Sequence, residues 1–482
     1  MIELKMSNSF SVIANKFTLL LIGLITSFSF HSKATNLESS LNDGVRIELD
    51  DGTLCLEPLS DRAVRVRYFK SDIQLYPEEI VYTEKTSTPQ YRIKEDAKLI
   101  NLCMDEVTVS FDKENETLSF FNGEGTLILK EQEKGRSVEL DKLAGMPVFK
   151  VRQGFVSPPD EYLYGTGQFQ DDYLNIRGLS RRLTQVNTQI SIPFILSNQG
   201  YGLLWNNYGL TEFNPAENTV TLKRHDYRTK TITVDATGTS GNVSETRNIN
   251  QFTGELKVTS TGKYALMLDV GQRMARKHHL VVGGDTVISV DNIWLPPTTS
   301  AIVELREGVH EVVVEGERND KPVLYWKPVT DETVLYSPVA EALDYTVFVG
   351  TPEDIIANYR QVTGQVPMPP KWAFGYVHCR ERYNTQKELL ENARTFRDKK
   401  IPIDVIIQDW QYWGKYGWNA MRFDEDRYPD PAKMVDSLHK MNMRVMISVW
   451  SKIQKNSELG TKFEEKGYFI PNTEWVDFFN PD

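Results

Sequence analysis

From about Val45 to Tyr208, apolar and polar residues alternate in short runs, among them Ala63 to Phe69, Glu106 to Phe111 and Thr117 to Phe121, with Gly, Asn and Asp between them. Alternation with a period of two sends every second side chain to one face, so each run predicts a half-buried strand and the series predicts an antiparallel sandwich. Pro193 to Tyr208, PFILSNQGYGLLWNNY, predicts a hairpin inside the sheet: its arms are mostly apolar, and Gly200 and Gly202 tolerate turn angles barred to other residues. Between about Tyr227 and Thr330 a second group of runs appears, with Lys263 to Val270, Leu280 to Val290 and Val309 to Glu315 set apart by Gly262, Gly283, Gly284 and Gly308. This stretch reads as a small β unit of its own. Asp344 to Gly350 then predicts one more strand, and Pro352 to Gly364 a helix ended by glycine.

The period changes from Lys371 onward. Strands near Ala373 to Val377, Val405 to Gln408 and Arg444 to Trp450 alternate with helices over Thr385 to Lys399 and Pro431 to Met441, the order that builds parallel β/α units. Leu389, Leu390, Ala393 and Phe396 fall on one face of the first helix, and Thr385 with Glu388 predicts a capping box. In the second, Asp430 caps, Pro431 suits the first helical position, Met434, Val435, Leu438 and Met441 form the buried stripe, and Asn442 ends the helix.

Composition narrows the function classes. The net charge of −11 comes from acidic residues spread along the whole chain, which argues against a nucleic-acid partner, whose phosphates need concentrated Lys and Arg. Nine Trp and 21 Tyr suit stacking on sugar rings, although most aromatics simply fill core volume. Lys5 and Lys16 precede an apolar run from Phe17 to Phe30 and then Ser32, Lys33 and Ala34, the layout of a secretory signal peptide, in a run too short to span a bilayer. Export to the periplasm or the medium is therefore expected, with no membrane span. Three scattered cysteines make no disulfide framework, although Cys55 and Cys103 are a conceivable pair in an exported protein. His278 and His279 are neighbours whose side chains point to different faces, and no partner at metal-ligand spacing accompanies them, so neither metal nor cofactor is expected.

Working side chains in parallel β/α folds project from the carboxyl ends of the strands. That rule selects Cys379 to Tyr383 after the first strand, Asp409 to Trp413 after the second, and Trp450 at the end of the third. Asp409 stands out, since a carboxylate that follows the apolar run VII and precedes Trp410, Tyr412 and Trp413 pairs hydrogen-bond acceptors with flat apolar faces, as sugar binding requires. The same position also suits a loop cap or an ion pair with Arg380 or Arg382, and the residues alone leave these readings open.

VTGQVPMPPKWAFGY, IPIDVIIQDWQYWG and YPDPAKMVDSLHKMNMRVMISVW resemble, in order and spacing, the opening of the barrel in glycoside hydrolase family 31, and EYLYGTGQ with IPFILSNQGYGLLWNN resembles that family's sandwich domain. QFTGELKVTSTGKYALML, HLVVGGDTVI and LREGVHEVVVE resemble the protective-antigen-type β module inserted in some carbohydrate-active enzymes. With the signal peptide 1–34 read from its layout, these resemblances imply a multidomain architecture: β-sandwich 35–226, inserted β module and candidate carbohydrate binder 227–330, sandwich completion and linker 331–365, and the first units of an incomplete (β/α)8 barrel over 366–482. They imply a retaining glycosidase acting on terminal α-linked sugars, with a bulky Trp410 pointing to the α-xylosidase branch and to xyloglucan oligosaccharides. An α-glucosidase of the same family and a non-catalytic carbohydrate-binding protein are the alternatives. Asp409 would bond hydroxyls of the sugar at the cleavage point, with Trp410, Trp418, Trp450 and Arg380 around it, whereas the loop LTQVNTQ offers the amide Asn187 where some relatives supply an acid. Roughly 110 residues follow Trp372, against about 250 for an eight-unit barrel, so the nucleophile and acid/base are expected beyond this chain, which alone should be inactive. Oligomeric state stays open.

Overall fold

Strands Leu37–Glu38, Val45–Leu49, Gly52–Ser60, Ala63–Lys70, Leu343–Val349, Tyr201–Trp205, Ile190–Ser197 and Leu163–Gln168 lie side by side, in that order, in an eight-stranded antiparallel sheet. A five-stranded sheet ordered Ser137–Leu143, Met146–Val156, Glu332–Ala340, Thr211–Phe213 and Arg181–Leu183 shares its core, as does a meander from Arg92–Glu95 to Leu127–Lys130. Alternation supplies that core: Ile47, Leu54, Val66, Phe111, Phe155, Leu203 and Tyr345 all point inward and are buried. The computed structural model describes residues 37–38, 44–70, 79–83, 89–143, 145–186, 189–238, 241–271, 278–291, 296–317, 320–417, 420–449, 453, 455 and 457–469. The apolar run from Phe17 to Phe30 expected to be a signal peptide, Asn187, Trp418 and Trp450 lie outside the described residues.

Strand Leu343–Val349 is buried along its whole length, between Ala63–Lys70 and Tyr201–Trp205. Its Asp344 is paid for by Arg65, whose Nε lies 2.9 Å away, and by Asn206 Nδ2 at 2.8 Å, which together meet the requirement that a buried charge be paired. Between Asn218–Val220 and Val323–Pro328 the chain leaves the sandwich and builds two further sheets of four and five strands around a separate core of Leu256, Leu266, Leu280, Val312 and Val314. Arg182 fastens this unit to the sandwich through Glu212 and Asp269, both at 3.0 Å. Cys55 and Cys103 are free thiols, so the conceivable disulfide between them is not formed. Among the described residues no helix is long and apolar enough to cross a membrane.

Helix Pro352–Thr363 leads out of the sandwich. Thr351 Oγ1 accepts the Asp354 N–H at 3.2 Å while the Asp354 carboxylate accepts the Thr351 N–H at 3.1 Å, a complete capping box, and buried Ile355 seats the helix against Leu204 and Phe348. Strands Val377–Cys379, Val405–Gln408 and Arg444–Ile447 then pair in parallel, with Val377 opposite Val405 and Val405 opposite Arg444. Helices Gln386–Asp398 and Pro431–Lys440 alternate with them, and Glu458–Glu465 follows.

Three expectations need correction here. Residues Lys371–Phe374 form a 3-10 turn closed by the Gly375 N–H on the Trp372 carbonyl at 3.1 Å, so the first strand starts at Val377 and not near Ala373. Thr385 caps its helix by accepting the Glu388 N–H at 3.1 Å, but the Glu388 carboxylate accepts from the Asn384 N–H at 2.7 Å and from Arg380, leaving the box half made. The third strand ends at Ile447 instead of running to Trp450, because ladder pairing with the second strand stops at Gln408–Ile447.

Candidate functional site

Side-chain alternation gives the second strand two faces. Ile406 packs with Leu389, Leu390, Ala393, Met434 and Leu438 of the helices, and Gln408, two residues on, is fully buried on the same side. Alternation carries Asp409 to the opposite side with Val405 and Ile407, at the carboxyl end of the sheet. On that side Val377, Cys379 and Met446 are exposed. The Asp409 carboxylate is half-buried and, among the described residues, accepts no hydrogen bond and makes no ion pair.

The end of the first strand is electrostatically coupled to it. Burial pushes the Cys379 thiol up, and the carboxylates of Asp409 and Glu381 add to the shift. Arg380 is turned away, holding Glu388 at 2.8 Å with its guanidinium 5.0 Å from the Tyr383 ring centroid. Arg382 reaches Glu381 at 2.6 Å and the Gln411 amide oxygen at 2.9 Å. Neither arginine neutralises Asp409, so the ion-pair readings fall away. Asp409 remains available for hydroxyl donors, of which a carboxylate accepts several.

The aromatics divide by depth. Tyr412 and Trp413 are buried core residues, packed edge-on with ring centroids 5.0 Å apart. Trp410 is half-buried and meets Trp413 edge-on at 5.8 Å, so it borders both the core and the rim.

Backbone around the rim is held by groups that sequence reasoning missed. Gln408 accepts the Tyr383 N–H at 3.2 Å and donates to the Trp410 carbonyl at 2.9 Å; Trp410 N–H donates to the Glu381 carbonyl at 2.8 Å; Tyr412 O–H reaches the Ser448 carbonyl at 3.3 Å. Buried Tyr428 donates its O–H to the Tyr383 carbonyl, and burial pushes the Tyr383 phenol up to about 12. Glu381 at φ 44 and Gln411 at φ 56 sit in the left-handed region, which non-glycine residues enter only when their surroundings hold them there. The available signal for Gln408 was an amide closing an otherwise apolar buried strand. Among the described residues, no group of three or more His, Cys, Asp or Glu is arranged to hold a metal.

Sandwich, capped helix and parallel β/α units define the class, an N-terminal antiparallel β domain followed by the opening units of a β/α barrel. A family model of the glycosyl hydrolases family 31 TIM-barrel domain matches residues 366–482, and one of the glycosyl hydrolase 31 N-terminal galactose mutarotase-like domain matches 53–214. The chain belongs to glycoside hydrolase family 31. It is 28% identical over 389 residues to an α-xylosidase of Saccharolobus solfataricus, across 77% of this chain and 37% of that protein. The crystal structure of a GH31 α-xylosidase from Xanthomonas citri superposes with a TM-score of 0.75 at 25% identity, over 89% of this chain and 51% of that one. An α-glucosidase of Bacillus thermoamyloliquefaciens is 37% identical over 139 residues, covering 29% of this chain and 17% of its own length. The chain thus spans between about a third and a half of the first two relatives.

Proposed function

We propose that this chain forms the front part of an exported, retaining α-glycosidase that removes terminal α-linked sugars, xylose on xyloglucan oligosaccharides first among them. Asp409 carries the reading. It is a carboxylate on the inward side of a parallel sheet, at the carboxyl rim, with no arginine among the described residues neutralising it and with the half-buried indole of Trp410 next in sequence. Such a group fits vicinal hydroxyls of a ring, and the relatives named α-xylosidases support the choice of sugar. Retention requires two carboxyl groups about 5 Å apart, and these are assigned to barrel strands following the three described here. Arg380 holds Glu388 through Nη2 and would reach substrate with its other N–H groups or by exchanging that partner. Trp418 and Trp450 would add apolar surface to the pocket.

The likeness to a protein named an α-glucosidase favours glucose as the second reading. Both are tested by assaying the chain, alone and within a polypeptide that completes the barrel, on 4-nitrophenyl α-D-xyloside and α-D-glucoside. The expected result is no turnover by the chain alone and preferred xyloside turnover by the longer polypeptide, with the α-anomer of the product formed first by NMR. Turnover by the chain alone would overturn the assignment of the catalytic pair, and preference for the glucoside would overturn the assignment of the sugar.

A further inference from the structure

We propose that Gln408 is the positioning residue for Asp409: its buried amide sets the direction in which the carboxylate meets a sugar. This rests on the reading of Asp409 as a sugar-binding group. Among the described residues no side chain or backbone donor holds the Asp409 carboxylate, so its direction is inherited from the backbone on either side of it. Gln408 precedes it immediately and is fully buried. Both ends of that amide are committed, Oε1 to the Tyr383 N–H at 3.2 Å and Nε2 to the Trp410 carbonyl at 2.9 Å, so the two backbone groups flanking the rim are tied to one planar unit.

The loops joined in this way cannot hold their shape by intrinsic preference. Glu381 and Gln411 take left-handed angles without being glycine, and the bonds from Trp410 N–H to the Glu381 carbonyl and from Arg382 to the Gln411 amide close the ring around Asp409. An amide in an apolar layer is costly unless both its polar ends are satisfied, which keeps Gln408 in one rotamer and transmits that rigidity to its neighbour. A purely apolar residue at 408 would fill the volume and release both loops. Gln408 touches no substrate in this scheme and acts only through Asp409.

The test is a double-mutant cycle in the polypeptide that completes the barrel, using Gln408→Met, which is unbranched and close in volume, Asp409→Ala, and the pair. With 4-nitrophenyl α-D-xyloside, Gln408→Met should lower kcat/KM roughly 100-fold when Asp409 is present, the scale expected for an ångström of misplacement. In the Asp409→Ala background the same change should cost less than about threefold, since the group being positioned is gone. An equal loss in both backgrounds would show a general structural role and overturn the proposal. Gln408→Leu is read in the same way should the Met variant not fold, and failure of both to fold also overturns it. Absence of turnover by the unsubstituted polypeptide would instead remove the functional reading. The crystal structure of Gln408→Met then decides the matter: an Asp409 carboxylate displaced by about 1 Å upholds positioning, and an unmoved one overturns it.

Discussion

Parallel β/α units place stability at one end of the strands and chemistry at the other, and Arg397 offers a way to separate the two. It stands in the last turn of helix Gln386–Asp398 and donates from Nε to the Met441 carbonyl at 2.8 Å and from Nη2 to the carbonyls of Ile403, at 2.8 Å, and Asn442, at 3.1 Å. Those carbonyls belong to the segments entering the second and third strands, the end opposite Asp409. Arg397→Met keeps the aliphatic stem and removes all three bonds. The first two are partly buried and made by a charged donor, worth about 1.5 kcal/mol each at the lower end for such bonds, and the exposed third adds little, so the expected loss is about 3 kcal/mol. Against a total of about 5–15 kcal/mol this is a large fraction, readable as a lower urea midpoint at unchanged slope, followed by tryptophan fluorescence. Turnover of the polypeptide that completes the barrel, assayed well below its transition, should change by less than about twofold. A loss below about 1 kcal/mol, or a fall in kcat/KM at full folding, would refute the separation of the two ends.

Two further outcomes are expected. Asp344→Asn keeps the shape of a buried side chain but leaves Arg65 with Glu79, 2.8 Å away, as its remaining carboxylate; unfolding of the sandwich should weaken by about 3 kcal/mol, and an unchanged urea midpoint would contradict the pairing. Burial holds the His278 imidazole down at about 4, where an exposed histidine titrates near 6.5. Between those values the unfolded chain binds a proton that the folded one refuses, so this contribution is complete above pH 6.5 and is lost as pH falls towards 4, by about 3 kcal/mol in all. His278→Gln should flatten the corresponding stretch of the stability–pH curve, and an equally steep curve in that variant would exclude His278 as its source.

Periodicity carried far in this chain because strands and helices that bury one face must repeat with period 2 or 3.6, and because caps are local chemistry. Thr351, Thr385 and Asp430 each accept the N–H three residues on, an arrangement visible in sequence. The turn at Lys371–Phe374 was not, since a short, mostly apolar run between proline and glycine serves a strand or a 3-10 turn equally well and the choice falls to two backbone bonds, from the Ala373 and Gly375 N–H groups. Asp409 was legible as a rim residue from its place after an apolar strand, whereas the fate of Arg380 was not. Its partner Glu388 lies eight residues away across a turn whose path only the tertiary structure sets. Gln408 was hidden for a related reason, as its two bonds join loops from different strands and depend on their register. The same holds for Tyr428, which reaches the Tyr383 carbonyl across 45 positions.

A crystal structure of the barrel-completing polypeptide with bound D-xylose would test the assignment of Asp409 most directly. Both carboxylate oxygens of Asp409 are expected within about 3 Å of ring hydroxyls, with the sugar on the Val405 and Ile407 side of the sheet. A sugar bound elsewhere in the barrel, with Asp409 facing only protein or water, would contradict the account.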